Sequence, residues 1–208
     1  MGQFLAYVFA PALTHRKALL VVNLLYWGAM LLGMIATLID ENLQPALTRG
    51  VVEDFSPNGV MGPLAQAYAQ DQFAAATLLT FAVNFAIASV LFITLPSIAI
   101  PFAGLLMGVV RALMWGVLFS PFGGGVDPDF LIRMSPHGLT ILLEGEAYIV
   151  AMLGVWLWWP SVVRATGRRW RSWWSGFLLQ GRVYLGVVSL LTAAAAWEAF
   201  ELIYLIPE

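Results

Sequence analysis

Residues 73–119 read FAAATLLTFAVNFAIASVLFITLPSIAIPFAGLLMGVVRALMWGVLF, and this stretch decides the fold. Arg111 is its only ionisable residue. At about 1.5 Å per residue, the stretch is too long for one helix to cross roughly 30 Å of hydrocarbon. It therefore divides into two apolar spans, near 73–95 and 97–119, separated at Pro96. Pro101 falls in the first turn of the second span, where a missing N–H costs little, so a tight helical hairpin is expected. Working outward, three more apolar runs near 18–39, 137–159 and 183–205 have the length of spanning helices.

The whole chain has the composition this requires. Its 208 residues are 61% hydrophobic and 11% charged, with a mean hydropathy of +0.83, whereas soluble domains carry roughly 25% charged residues. The expected fold class is all-α: an integral membrane helical bundle of about five transmembrane helices, forming a single polytopic domain over residues 1–208. A net charge of −2 and a pI near 5.6 exclude the broad basic surface of a nucleic-acid binder. The absence of cysteine excludes disulfides, thiolate metal sites and thiol nucleophiles. No internal repeat is visible, and Gly123-Gly124-Gly125 reads as a flexible connection.

Basic residues set the orientation. Arg16 and Lys17 precede the first span, and Arg164, Arg168, Arg169, Arg171 and Arg182 follow the fourth, all on one side; Arg49 and Arg133 fall on the other. The positive-inside rule then puts the N-terminus in the cytoplasm and the C-terminus outside, as a multi-pass protein of a bacterial or archaeal cytoplasmic (inner) membrane. The first run is longer than a signal-peptide core and no small-x-small cleavage site follows, so it is expected to be retained. The connection holding Asp40, Glu41, Glu53, Asp54 and Asp71 is expected outside.

Two stretches are expected to lie on the membrane surface. Residues 3–14 are too short to span and too apolar to float free, and read as an interfacial helix broken at Pro11. In the fourth connection, Arg168, Arg169, Trp170, Arg171, Trp173 and Trp174 interleave guanidiniums with indoles. They read as contacts to lipid or a partner, or more simply as a topology determinant and interfacial anchor.

Five ionisable residues fall inside the spans: Arg111, Glu144, Glu146, Glu198 and Glu201. Each costs roughly 2.5–3.5 kcal/mol at mid-helix, so each needs a partner or a use. Counting along the helices puts Arg111, Glu144 and Glu198 about 10–12 Å below the outer surface. Glu201 lies shallower, and His137 caps the fourth span. On that span His137, Thr140, Glu144, Ala147, Ala151 and Gly154 form one stripe; on the fifth, Glu198 and Glu201 share a face with Ala194. Gly104, Gly108, Ala112 and Gly116 repeat a small-xxx-small spacing on the third, which permits close helix approach. The expected cluster is therefore Arg111, Glu144, Glu198, Glu201 and His137. Its carboxylates outnumber its cations, so some are protonated or a further cation enters. Glu146 points away from this face, toward another subunit, while Asn23 and Asn84 read as interhelical hydrogen-bond donors.

Three of these stretches resemble a known family. Ser135-Pro136-His137-Gly138 followed by Glu144 and small residues to Gly154, the closing Ala193-Ala194-Ala195-Ala196-Trp197-Glu198, and the Gly-rich run into Met114-Trp115-Gly116 are similar to the stage II sporulation protein M-like family of bacterial and archaeal membrane proteins. The resemblance covers roughly residues 70–202. It implies a polytopic helical protein that acts with partners; the family's namesake helps assemble the machinery that remodels peptidoglycan during engulfment.

The sequence lacks HExxH, a phosphate-binding Gly loop and G-x-S-x-G, so no enzyme activity, cofactor or metal is expected. The leading expectation is a scaffold or accessory subunit of a larger membrane complex. Its partners would be membrane lipids and other integral membrane subunits or further copies of itself. The alternative is a small ion- or proton-coupled transporter or channel component using the carboxylate cluster. A membrane enzyme on lipid or cell-wall precursors, with Glu144, Glu198 and His137 as acid-base groups, comes third.

Overall fold

The computed structural model describes residues 7–123, 135–164 and 169–206, the side chain of Ser161 aside. Among them the regular structure is helical throughout. A short α1 (Ala10–Thr14) leads into α2 (Arg16–Ile39). Two helices, α3 (Leu43–Asp54) and α4 (Gly62–Ala69), fill the first connection. The bundle continues with α5 (Phe73–Ala99), α6 (Ala103–Leu118), α7 (His137–Val163) and α8 (Arg169–Leu205). Four of these helices (α2, α5, α7, α8) are long and apolar enough to cross a membrane, and α6, at 16 residues, is a shorter apolar helix beside them. The protein is an all-α, multi-pass membrane bundle.

Helix α7 is the axis on which the others pack. Apolar and small residues occupy all of its faces, the pattern of a helix surrounded by protein, and Ala147, Tyr148, Ile149, Ala151, Met152, Leu153 and Val155 are fully buried. The outer helices bury one side and present apolar side chains outward. Leu24, Leu31, Leu32, Leu38, Leu78, Leu106 and Leu178 are all at least 60% exposed, a surface suited to acyl chains.

Glycines bring α2 and α6 into backbone contact. A Cβ on Gly116 would stand 1.9 Å from the Met30 carbonyl oxygen, and one on Gly33 2.1 Å from that of Leu113. Helices this close gain van der Waals contact in a solvent that offers no hydrophobic drive between them. At the ends of these helices away from Arg16, Thr37 and Ser120 share a hydroxyl hydrogen bond of 2.6 Å. The Gly104, Gly108, Ala112, Gly116 stripe is buried along its length.

The hairpin between α5 and α6 forms, but its turn is not at Pro96. Helix α5 widens to π register over Val83–Thr94 and returns to α register over Leu95–Ala99, with Pro96 in that first turn. The chain reverses at Ile100–Phe102, where Phe102 takes a left-handed conformation (φ 62°). Ser97 Oγ accepts the Gly104 N–H at 2.7 Å and closes the turn. Pro101 consequently lies in the turn, and α6 begins later than the sequence pattern implies.

The last helix starts earlier than expected. Arg169, Arg171 and Arg182 belong to one continuous α8 of 37 residues, not to a connection. Arg182 sits over the Tyr7 ring at 4.5 Å. In the N-terminal stretch the helix is interrupted at Phe9, between helical Tyr7 and Val8 and the start of α1, with Pro11 in the first turn of α1. Residues 3–6, Gly124, Gly125, Arg133 and Arg168 lie outside the described residues.

Candidate functional site: an intramembrane polar cavity

Helices α3 to α8 enclose a cavity of about 310 Å³ at the end of the bundle opposite Arg16. Arg111, Glu144, Glu198 and His137 all line it, together with Thr80, Asn84, Trp115 and Thr140. Its remaining wall is apolar, with Val51, Phe55 and Leu64 contributed by the first connection. That connection is held down by Gln44, whose Nε2 donates to the Leu118 and Ser120 carbonyls at 2.9 and 3.0 Å. At the other edge the Tyr68 and Thr80 hydroxyls bond at 2.7 Å.

Glu144 is 2% exposed, with Asn84 and Tyr148 beside its carboxylate. Asn84 Nδ2 donates to Oε1 through a short hydrogen bond, and the Tyr148 hydroxyl approaches Oε2 at 3.4 Å. Tyr148 lies one turn beyond Glu144 on the same face. It also donates to Asn84 Oδ1 at 2.8 Å, which closes a ring of three side chains. Arg111 reaches this ring through Tyr148, with Nη2 donating to the hydroxyl at 3.3 Å and the guanidinium packed 4.9 Å from the Tyr148 ring centre and 5.1 Å from that of Trp115. Its Nε is buried without a hydrogen bond.

A second polar pair sits beside the cavity. Glu201 is fully buried, and its Oε1 is 2.5 Å from His137 Nδ1 and accepts the Thr140 hydroxyl at 2.8 Å. This is the only ion pair within 4 Å among the described residues. Helix α8 passes into π register from Glu201 to Leu205. Both π segments thus lie at this site, one containing Asn84 and the other opening at Glu201; such widenings often accompany functional positions.

Glu198 faces the cavity, and among the described residues no cationic group lies within 4 Å of its carboxyl. Its carboxyl interacts with the Tyr68 hydroxyl from the first connection. Burial, reinforced by Glu198, raises the Tyr68 phenol above its usual range, so it stays a hydrogen-bond donor.

Glu146 points away from the Glu144 face toward α2, where its Oε1 accepts the Trp27 Nε1–H at 3.2 Å. Asn23 bonds within its own helix, to the Leu19 carbonyl at 3.0 Å. Asn84 does bond between helices, and its partner is the cavity carboxylate. Tyr148 is the site residue that the charge-based reading misses; the i, i+4 spacing from Glu144 was the available signal for it.

The arginine-tryptophan stretch is helical and lies at the other end of the bundle. Arg169, Trp170 and Arg171 are exposed, Trp174 is 43% exposed, and Trp173 packs against Trp158 at 5.2 Å between ring centres. Among the described residues no three His, Cys, Asp or Glu side chains converge as a metal-ligand set. Comparison with protein families, curated proteins and solved structures finds no match for this chain.

Proposed function

We propose that this chain is a membrane transport component that takes up a proton or small cation in the intramembrane cavity. The observation that carries the reading is the position of Glu198. Arg111 is linked to Glu144 through Tyr148, and His137 is paired with Glu201, whereas Glu198 enters the same cavity with the Tyr68 hydroxyl as its partner and, among the described residues, no cationic group within 4 Å. A carboxylate held there is stable when it is protonated or when a cation joins it. The charges also turn inward to one another, which argues against their use in holding a second subunit. In this reading the end bearing Arg16, Lys17 and Arg164 faces the cytoplasm and the cavity lies toward the outside.

The test is a flux assay in liposomes with an imposed proton or monovalent-cation gradient. The Glu198→Gln variant keeps side-chain shape and removes the titratable charge; its flux is expected to fall to background with thermal stability retained. Undiminished flux in a folded Glu198→Gln protein would overturn the proposal.

A second reading has its own support. Four residues of the stretches that resemble the stage II sporulation protein M-like family, His137, Glu144, Trp115 and Glu198, line this cavity. An accessory subunit of that kind, in a bacterial or archaeal inner membrane, would co-purify with other membrane proteins in mild detergent. It would lose them on Arg111→Leu substitution.

A further inference from the structure

A second recess, about 1120 Å³, lies at the basic end of the bundle, between the start of α2 and the end of α7. His15, Arg16, Lys17 and Arg164 line it, with Leu13 and Trp156, and no acidic side chain does. Arg16, Lys17 and Arg164 are all exposed, and none has a carboxylate within 4 Å among the described residues. The Arg16 Nε is tied to the Leu13 carbonyl at 3.2 Å, which leaves its two Nη groups for an external acceptor. The wall is fixed in place, because Val8, Pro11 and Ala12 are buried against the bundle.

We propose that this recess binds the headgroup of an anionic phospholipid. Three cations from two helices distant in sequence converge on one concave site, and a phosphodiester accepts hydrogen bonds from arginine in two-pronged fashion. The flanks identify the ligand as lipid. Leu13, Leu20, Leu24 and Val163, next to the recess, are 52%, 60%, 66% and 65% exposed, and give acyl chains an apolar track that leads away from the basic groups. Basic recesses between transmembrane helices on the cytoplasmic side are suited to anionic headgroups. The site is remote from the polar cavity and stands whether or not that cavity transports anything.

The full-length protein in mild detergent is titrated with phosphatidylglycerol, phosphatidylcholine or inorganic phosphate, with binding read by thermal shift and by native mass spectrometry. Phosphatidylglycerol is expected to bind and stabilise, and phosphatidylcholine and inorganic phosphate to do neither. Because Arg16 and Lys17 also determine topology, the primary variant is Arg164→Gln. It should bind phosphatidylglycerol about fivefold more weakly, the share of one basic group near a membrane surface. Arg164→Lys should retain binding, and Arg49→Gln, at the opposite end, should leave it unchanged. Equal binding by Arg164→Gln, or an equal effect of phosphatidylcholine, would overturn the proposal. Stabilisation by inorganic phosphate to the same extent would assign the recess to a soluble phosphate and overturn it as well.

Discussion

The Tyr148 hydroxyl joins Arg111 to Glu144 without the two charges touching. It receives the guanidinium N–H at 3.3 Å and lies 3.4 Å from the carboxylate, while its own proton is directed to Asn84 at 2.8 Å. Tyr148→Phe keeps the ring beneath Arg111 but removes the acceptor for Nη2 and the donor to Asn84. The expected loss is about 1–3 kcal/mol, the range for leaving a buried polar group unpaired. Chemical denaturation in detergent would measure it, with Tyr204→Phe, 59% exposed, as the unaffected control.

Gly33 and Gly116 set the distance between α2 and α6. An alanine at Gly116 would place Cβ 1.9 Å from a backbone carbonyl oxygen, which no rotamer change relieves. Gly116→Ala is therefore expected to separate the helices and cost about 1–3 kcal/mol or more. Gly28, also on α2, has no atom within 4 Å of its would-be Cβ. Gly28→Ala should be neutral or stabilising by up to about 1 kcal/mol, through lower backbone entropy in the unfolded chain. Thermal melts of both variants decide the matter, and equal behaviour would remove the close-packing argument.

Hydropathy located the spanning segments because their apolar length is a property of the local sequence. What it missed depends on partners distant in the chain. The helical pitch assumed for residues 73–95 does not hold where Val83–Thr94 widens to π register, so the facing of Asn84 toward Glu144 was not legible. Glu146 stands off the stripe shared by Glu144, as the spacing implies, but its hydrogen-bond donor, Trp27 of α2, lies far away in the chain and was not legible. The shared level of Arg111, Glu144 and Glu198 was legible from counting residues, whereas the intervening Tyr148, carrying no charge, was passed over. The arginines at 169–171 marked a topology signal but gave no sign that α8 had already begun.

His137 and Glu201 form a buried pair whose removal should be asymmetric. His137→Ala leaves a fully buried carboxylate with Thr140 as its remaining donor, and a cost of about 3–5 kcal/mol is expected. Glu201→Gln preserves an acceptor for Thr140 and should cost less. In the double variant the stranded charge is gone, so the combined loss should fall short of the sum by about 0.5–3 kcal/mol. Additive losses in the double-mutant cycle would mean that the 2.5 Å contact contributes no coupling.

Glu146 discriminates between an internal and an intersubunit role for the last intramembrane charge. Trp27 Nε1–H needs an acceptor, and either a carboxylate or an amide oxygen can serve at 3.2 Å. Glu146→Gln is therefore expected to match the wild-type protein in stability. Glu146→Leu removes the acceptor and strands a partly buried indole N–H beside Gly145, whose would-be Cβ already lies 2.6 Å from the Trp27 ring, so the leucine cannot be accommodated by drawing the helices together. The expected loss is about 1–3 kcal/mol, with the particle mass in detergent unchanged. A change in mass in Glu146→Leu, with folding intact, would return this glutamate to a contact between subunits.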